Sequence, residues 1–537
     1  MLGLELVVVL GVAVLLCGVL SKRLRVSQPV LQLAVGVVLG FVPALRAVQF
    51  PPDVVLLLFL PALLYWESLN TSLRAIRRSL RGIVLVSTLL VIATAGAVAA
   101  VAHALGLMWG PAWVLGAAVA PTDATALAAV ERLLPHRNLT ILKAESLVND
   151  GTALVVYGVA AGVTVGDIHL SVATVSGRVL LAYLGGAAAG ALVAWLSILL
   201  LRRLTDPLLV NVLALLAPFA AYLIAESVEA SGVLAVVVAG LAVSQASPRL
   251  VAAASRSQGY ALWALATYLL NGTLFVLVGL ELQSAVRGLT STALASALIT
   301  VLAVSVTLVV VRIAFLFLSA YAIRAIDRRP EQLLRRVSDR SRIVAGLSGF
   351  RGAVSLAVAL SVPATLDSGA PFPDRDTIVF VTTGVIVLTL VAQGMVLPAV
   401  VRWAQLPPDT TVDSERRLAE IAATREALAA LDGLATTIGA EVETADRLRE
   451  EYEQHLRVLT AIPALDDDPD DQVAADSAEV LRRHRRATEL RLALLARKRA
   501  TVIRLRDENT IDDTVLRQIQ ARLDHEETRL TRVDKTE

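Results

Sequence analysis

Thirteen apolar runs follow one another through the first 404 residues, near 4–20, 28–48, 53–69, 82–107, 112–130, 142–164, 178–201, 208–227, 231–244, 261–283, 292–323, 343–362 and 377–403. A bilayer core about 30 Å thick takes roughly 20 helical residues. Backbone polar groups in lipid must pair within the structure that crosses it, so each run reads as a membrane helix. With 56% hydrophobic and 18% charged residues, against about a quarter charged in soluble domains, an ordinary soluble enzyme is excluded. No basic segment and no convincing cleavage site accompany the first run, so it is expected to remain as a helix.

Orientation follows from the cations. Loops after odd-numbered spans hold 21 Lys and Arg, whereas the opposite side holds only Arg46, Arg178, Arg287 and Arg375. By the positive-inside rule the N-terminus is outside and the C-terminus cytoplasmic. A missed or invented span would scramble this alternation, so the split also supports thirteen. Overall, 49 Lys and Arg face 47 Asp and Glu, leaving no basic surplus for nucleic acid. Cys17, the only cysteine, excludes an internal disulfide framework or a cysteine metal cluster. Only four of the cations are lysine, which together with abundant Ala and Val suggests a GC-rich bacterial genome and hence a bacterial plasma membrane.

From Gln405 onward the composition changes. Pro407 and Pro408 stop the last span, and apolar residues recur at helical spacing, as in Leu418, Ile421, Leu428, Leu431 and Leu516, Ile519, Leu523, Leu530. Residues 1–404 therefore read as a membrane domain and 405–537 as a soluble, cytoplasmic helical tail, either regulatory or a cap that aids assembly. Pro463 and the acidic run Asp466 to Asp471 interrupt the tail as a solvated linker, without the spaced ligands of a calcium loop.

An ionisable side chain at mid-span costs about 2.5–3.5 kcal/mol on insertion scales, so each one needs a reason. Span 3 carries Glu67, span 5 carries Pro121-Thr122-Asp123, and span 6 opens Glu145-Ser146-Leu-Val-Asn149-Asp150-Gly151. Span 11 carries Arg312, and span 12 carries Gly349-Phe-Arg351-Gly352-Ala-Val-Ser355. Residues 145 and 149, like 146 and 150, are i,i+4 neighbours, which puts the four on one helix face. Such a strip serves as packing glue or as a functional face. For glue a hydroxyl or amide suffices, which leaves Asp150 in want of a function. Pro121 lacks an amide hydrogen and clashes with the preceding turn, so span 5 should unwind within Ala120 to Asp123 and release carbonyls as cation ligands. Gly349, Gly352 and Pro363 mark span 12 as a second interruption, with a tight helix crossing as the alternative. If spans 1–6 and 8–13 are two six-helix units, the breaks fall at the fifth helix of each. The offset of seven then makes the repeats inverted, an arrangement that builds ion sites at the midplane. Arg312 needs a partner, and Glu145 is the buried charge left to supply it.

Three motifs, Pro121-Thr122-Asp123, Glu145 to Gly151 and the run from Gly349 through Ser355, resemble in order and spacing the signatures of the monovalent cation:proton antiporter-1 family of sodium/proton exchangers. The resemblance covers residues 1 to about 404. It implies an all-α membrane protein of thirteen transmembrane helices, a homodimer in which a core domain moves against a dimerisation domain. It implies that Asp150 is the carboxylate for sodium and proton, with Ser146, Thr122 and Glu67 as further cation oxygens. Asp123 is then held by Asn149 across the broken-helix ends, Glu145 pairs with Arg312, and Arg351 organises the second broken helix. Electrogenic relatives carry two adjacent aspartates where this chain has Asn149-Asp150, which argues for electroneutral exchange. No cofactor is implied; sodium and the proton are cargo, and lipid, a second copy and monovalent cations are the partners. The expected use is sodium extrusion and pH homeostasis. Potassium/proton antiport and a cation-coupled symporter are the alternatives.

Overall fold

The computed structural model of the protein describes residues 2–24, 26–42, 52–71, 73–123, 136–166, 172–287, 291–326, 338–406, 411–461 and 471–508, with short pieces of 519–530. The chain divides into two compact units, Met1–Pro408 and Asp409–Glu537. In the first, the described helices are α1 (Leu2–Leu24), α2 (Gln28–Leu39), α3 (Pro52–Asn70), α4 (Leu73–Ala104), α5 (Trp109–Val119), α6 (His136–Val165) and α7 (Val172–Leu201). They continue as α8 (Pro207–Glu226), α9 (Gly232–Leu250), α10 (Ala253–Arg287), α11 (Ser291–Ile326), α12 (Asp339–Leu347), α13 (Ala353–Leu360) and α14 (Arg375–Ala404). Nine of these, α1, α4, α6 to α11 and α14, are long and apolar enough to cross a membrane, while α2 and α5 are shorter apolar helices. Among the described residues the only extended pairing is an isolated bridge between Thr365 and Pro371.

Large apolar side chains stay exposed along these helices, among them Val7, Leu15 and Leu16 on α1, Leu208 and Leu216 on α8, and Leu302 and Val310 on α11. Contiguous apolar surface on this scale is unfavourable in water and neutral in lipid. Inside, two packing groups stand out. One joins α4, α5, α11 and α14 through Val98, Leu115, Val304, Leu308, Ile378 and Val385. The other joins α3, α7, α8, α9 and α10 through Tyr65, Val193, Ala221, Val236 and Trp263. Small residues let helices close: a side chain at Gly36 of α2 would strike the Val276 carbonyl of α10, and one at Gly279 would strike Leu33 in return.

Two helices are cut short at the places that matter. α5 ends at Val119, and Ala120 to Asp123 are not helical. Pro121 accounts for this, since it cannot donate to the turn before it. The second gap separates α12 from α13 at Ser348 to Gly352, where Gly352 begins the new helix with φ −149° and ψ −146°.

The second unit is built from α15 (Thr411–Ile438), α16 (Val442–Ala461) and α17 (Asp471–Asp507). Gly439, at φ +73°, supplies the left-handed turn between α15 and α16, and Arg449 ties the hairpin by pairing with Asp432 and Asp446. Of the periodic apolar residues, Leu523 is buried, Ile421, Leu428 and Leu431 are half-buried, and Leu418 is 68% exposed. Leu516, Pro463 and the acidic run up to Asp470 lie outside the described residues.

Candidate functional site

The two helix breaks satisfy each other's backbone. Asp123 donates its N–H to the Phe350 carbonyl at 2.8 Å. Arg351, only 2% exposed, donates Nε to the Val119 carbonyl at 2.9 Å and bonds the Gly349 carbonyl as well. A guanidinium there caps the C-terminal end of α5, where orphan carbonyls and the negative end of the helix dipole both favour a cation. Arg375 does the same beyond α13, reaching Val362 O at 2.9 Å and Leu360 O at 3.4 Å. Gly352 is the point of closest approach: a Cβ placed on it would fall on the Asp123 carboxylate.

α6 runs alongside these ends. Ser146 donates its hydroxyl to the Thr122 carbonyl at 2.5 Å, and Asn149 donates Nδ2 to Thr122 Oγ1 at 3.0 Å and to Glu145 Oε1 at 3.5 Å. Asn149 thus joins Thr122 to Glu145, and the backbone of Asp123 and Phe350 links the two broken ends. Glu145 Oε1 lies 2.7 Å from Arg312 Nη1, and Arg312 Nε donates to Ala345 O at 3.1 Å, so α11 is joined to α6 and to α12 by one buried side chain. Asp150 is 4% exposed, and its Oδ1 is fully buried without a hydrogen-bond partner among the described residues.

A single cavity of about 40 Å³ gathers Glu67 from α3, Pro121, Thr122 and Asp123 from the first break, Ser146 and Asp150 from α6, and Gly352 from the second break. One water needs about 10–15 Å³ by this measure, so there is room for an ion with a few waters and not for an organic molecule. Among the described residues its charged lining is acidic, and carboxylate, hydroxyl and amide side chains supply hard oxygens suited to a hard cation. Glu145, Asn149, Arg312 and Arg351 hold this lining in place from behind.

Two polar lining residues, Asn271 of α10 and Ser355 of α13, carry no role in the sequence reading. The signal for Asn271 was its isolation as an amide inside an apolar run. Ser355 sits in the third of the motifs, but nothing in its spacing separates it from a packing serine.

Residues 11–403 match the family described as sodium/hydrogen exchanger, transmembrane. The chain belongs to that family, the monovalent cation:proton antiporters. The exchanger is 44% identical over 530 residues to an uncharacterized Na(+)/H(+) exchanger of Mycobacterium tuberculosis, a match covering 98% of this chain and 96% of the relative. A sodium, potassium, lithium and rubidium/H(+) antiporter of Bacillus subtilis is 31% identical over 390 residues, covering 70% of the exchanger and 57% of the relative. Among solved structures, the sodium proton antiporter MjNhaP1 of Methanocaldococcus jannaschii at pH 8 matches with a TM-score of 0.55 at 19% identity, over 75% of the exchanger and 99% of that chain. That likeness establishes the shared fold. The exchanger is thus a multi-pass membrane protein of a transporter family, and every residue of the cavity lies within the matched segment.

Proposed function

We propose that the protein exchanges one sodium ion for one proton through Asp150, with no net charge moved. The observation that carries this reading is the Asp150 carboxylate, buried and with Oδ1 unpartnered among the described residues, in an ion-sized cavity that Glu67, Thr122, Asp123 and Ser146 also line. A carboxylate withdrawn from water must be neutralised, and a proton or a sodium ion can each do it. The two compete for one group. If only a neutralised Asp150 crosses between inward- and outward-facing states, an empty charged site cannot slip, and the two gradients become coupled. Thr122, Ser146 and Glu67 supply the remaining cation oxygens; Asp123, Asn149, Glu145, Arg312 and Arg351 fix the broken ends around them.

The proposed arrangement is thirteen crossings in two inverted six-helix repeats, with the breaks at equivalent helices, the N-terminus outside and the tail in the cytoplasm of a bacterium. The working unit is a homodimer in the plasma membrane, and an inward proton gradient drives sodium extrusion and pH homeostasis. A second reading, potassium/proton exchange, is favoured by the Bacillus relative, whose name includes potassium. A symporter for an organic solute is disfavoured by the size of the cavity.

The test is purified protein in liposomes containing a pH dye, challenged with lithium, sodium, potassium and rubidium in turn. Sodium should drive proton efflux at the lowest concentration. Proton movement driven best by potassium selects the second reading, and none with any cation removes both.

A further inference from the structure

Hydroxyls in these helices are mostly committed. Ser68 donates to Leu64 O at 2.6 Å, Ser348 to Val344 O at 2.7 Å, Thr383 to Val379 O at 2.8 Å and Thr389 to Val385 O at 2.8 Å, each bonding back one turn. Ser355 is placed where this is not available. It is the third residue of α13, so Arg351, four residues back, lies before the helix begins. The Gly352 carbonyl, three back, already accepts from Leu356 N at 3.3 Å. The Ser355 side chain is 1% exposed, and its Oγ makes no hydrogen bond among the described residues. A buried hydroxyl in that condition calls for an explanation. It lines the same small cavity as Asp150, whose Oδ1 is likewise buried and unpartnered among the described residues.

We propose that Ser355 is a ligand to the transported cation, supplying an oxygen from the second broken helix and setting affinity and selectivity. This rests on the exchange reading above and adds to it. Thr122, Ser146 and Asp150 come from the first break and α6, so the hydroxyl of α13 completes the coordination from across the cavity. A neutral oxygen gains more from a small ion of high charge density than from a large one. Losing it should therefore weaken lithium and sodium more than potassium.

The experiment compares the wild type with Ser355→Ala, Ser355→Gly and Ser355→Thr in dye-loaded liposomes, with initial rates measured against lithium, sodium and potassium concentration. For Ser355→Ala the sodium and lithium KM should rise about tenfold, equivalent to about 1.4 kcal/mol. The potassium KM should rise less, and the maximal rate should stay within about twofold of wild type. Ser355→Thr keeps the hydroxyl and should restore the sodium KM. Ser355→Gly also removes the hydroxyl and should raise the sodium KM to a similar degree, which gives a second measure of the loss should Ser355→Ala fail to fold. Unchanged KM for all three cations, or a lower maximal rate at unchanged KM, overturns the assignment while leaving Asp150 exchange intact. A wild type that moves no protons with any cation removes the exchange reading and this one with it.

Discussion

Glu145 and Arg312 are the buried pair on which the placement of α6 depends, with Nη1 and Oε1 2.7 Å apart and side-chain exposures of 11% and 3%. Removing one partner of such a pair leaves an uncompensated charge and typically costs about 3–5 kcal/mol, whereas removing both can be nearly neutral. Glu145→Gln should therefore lower the yield and unfolding temperature of detergent-solubilised protein. Adding Arg312→Gln should recover part of the loss; a double variant no better than Glu145→Gln would contradict a stabilising role for the pair. Lipid makes such residues legible in a sequence, because every charge or amide in an apolar run stands out. Asn149 and Asp150 could be singled out for that reason, and Thr122 and Ser146 because they stand next to Asp123 and one helical turn before Asp150. Ser355 could not, since a lone serine is inexpensive in a membrane helix and its lack of a partner depends on where α13 begins.

At the scale of the element, the paired breaks carry the argument. Asp123 and Phe350 are joined through the backbone, and Gly352 has no room for a side chain against the Asp123 carboxylate. Gly352→Ala should push the two broken ends apart. A misplacement of about 1 Å at a preorganised site can cost roughly a hundredfold in rate. We expect cation-driven proton flux to fall at least tenfold, while Gly177→Ala, which meets nothing within 4 Å, leaves it unchanged. Near-normal flux in Gly352→Ala would count against the junction's importance. Pro121 made the first break readable, and Gly349 with Gly352 made the second. Helix ends were harder: α10 starts at Ala253 and α4 at Leu73, well before the apolar runs at 261 and 82, because these helices continue past the hydrocarbon where hydropathy carries no signal. The close crossing of α2 and α10 at Gly36 and Gly279 was not legible either, since residues so far apart in sequence meet only through the fold.

For the whole molecule, the question is what each transport cycle carries. The resemblance of the sequence motifs implies that Asn149 stands where electrogenic relatives carry a second aspartate, and an amide cannot carry a proton. Exchange should thus displace no net charge: a sodium jump on protein adsorbed to a solid-supported membrane should give no transient current, and a current reversing with the sodium gradient would contradict one-for-one exchange. The positions of Glu67, Thr122, Ser146 and Asp150 around one cavity are a property of this whole assembly, since they come from separate segments of the chain. Sequence spacing could relate the last two to each other and no further.

The central claim is that one carboxylate serves both ions in turn, and competition tests it most directly. Initial rates of sodium-driven proton movement measured across a range of pH should show the sodium KM rising as pH falls on the sodium side, with the maximal rate preserved, and Asp150→Asn should be inactive yet folded. A sodium KM independent of pH, or undiminished exchange by Asp150→Asn, would contradict it.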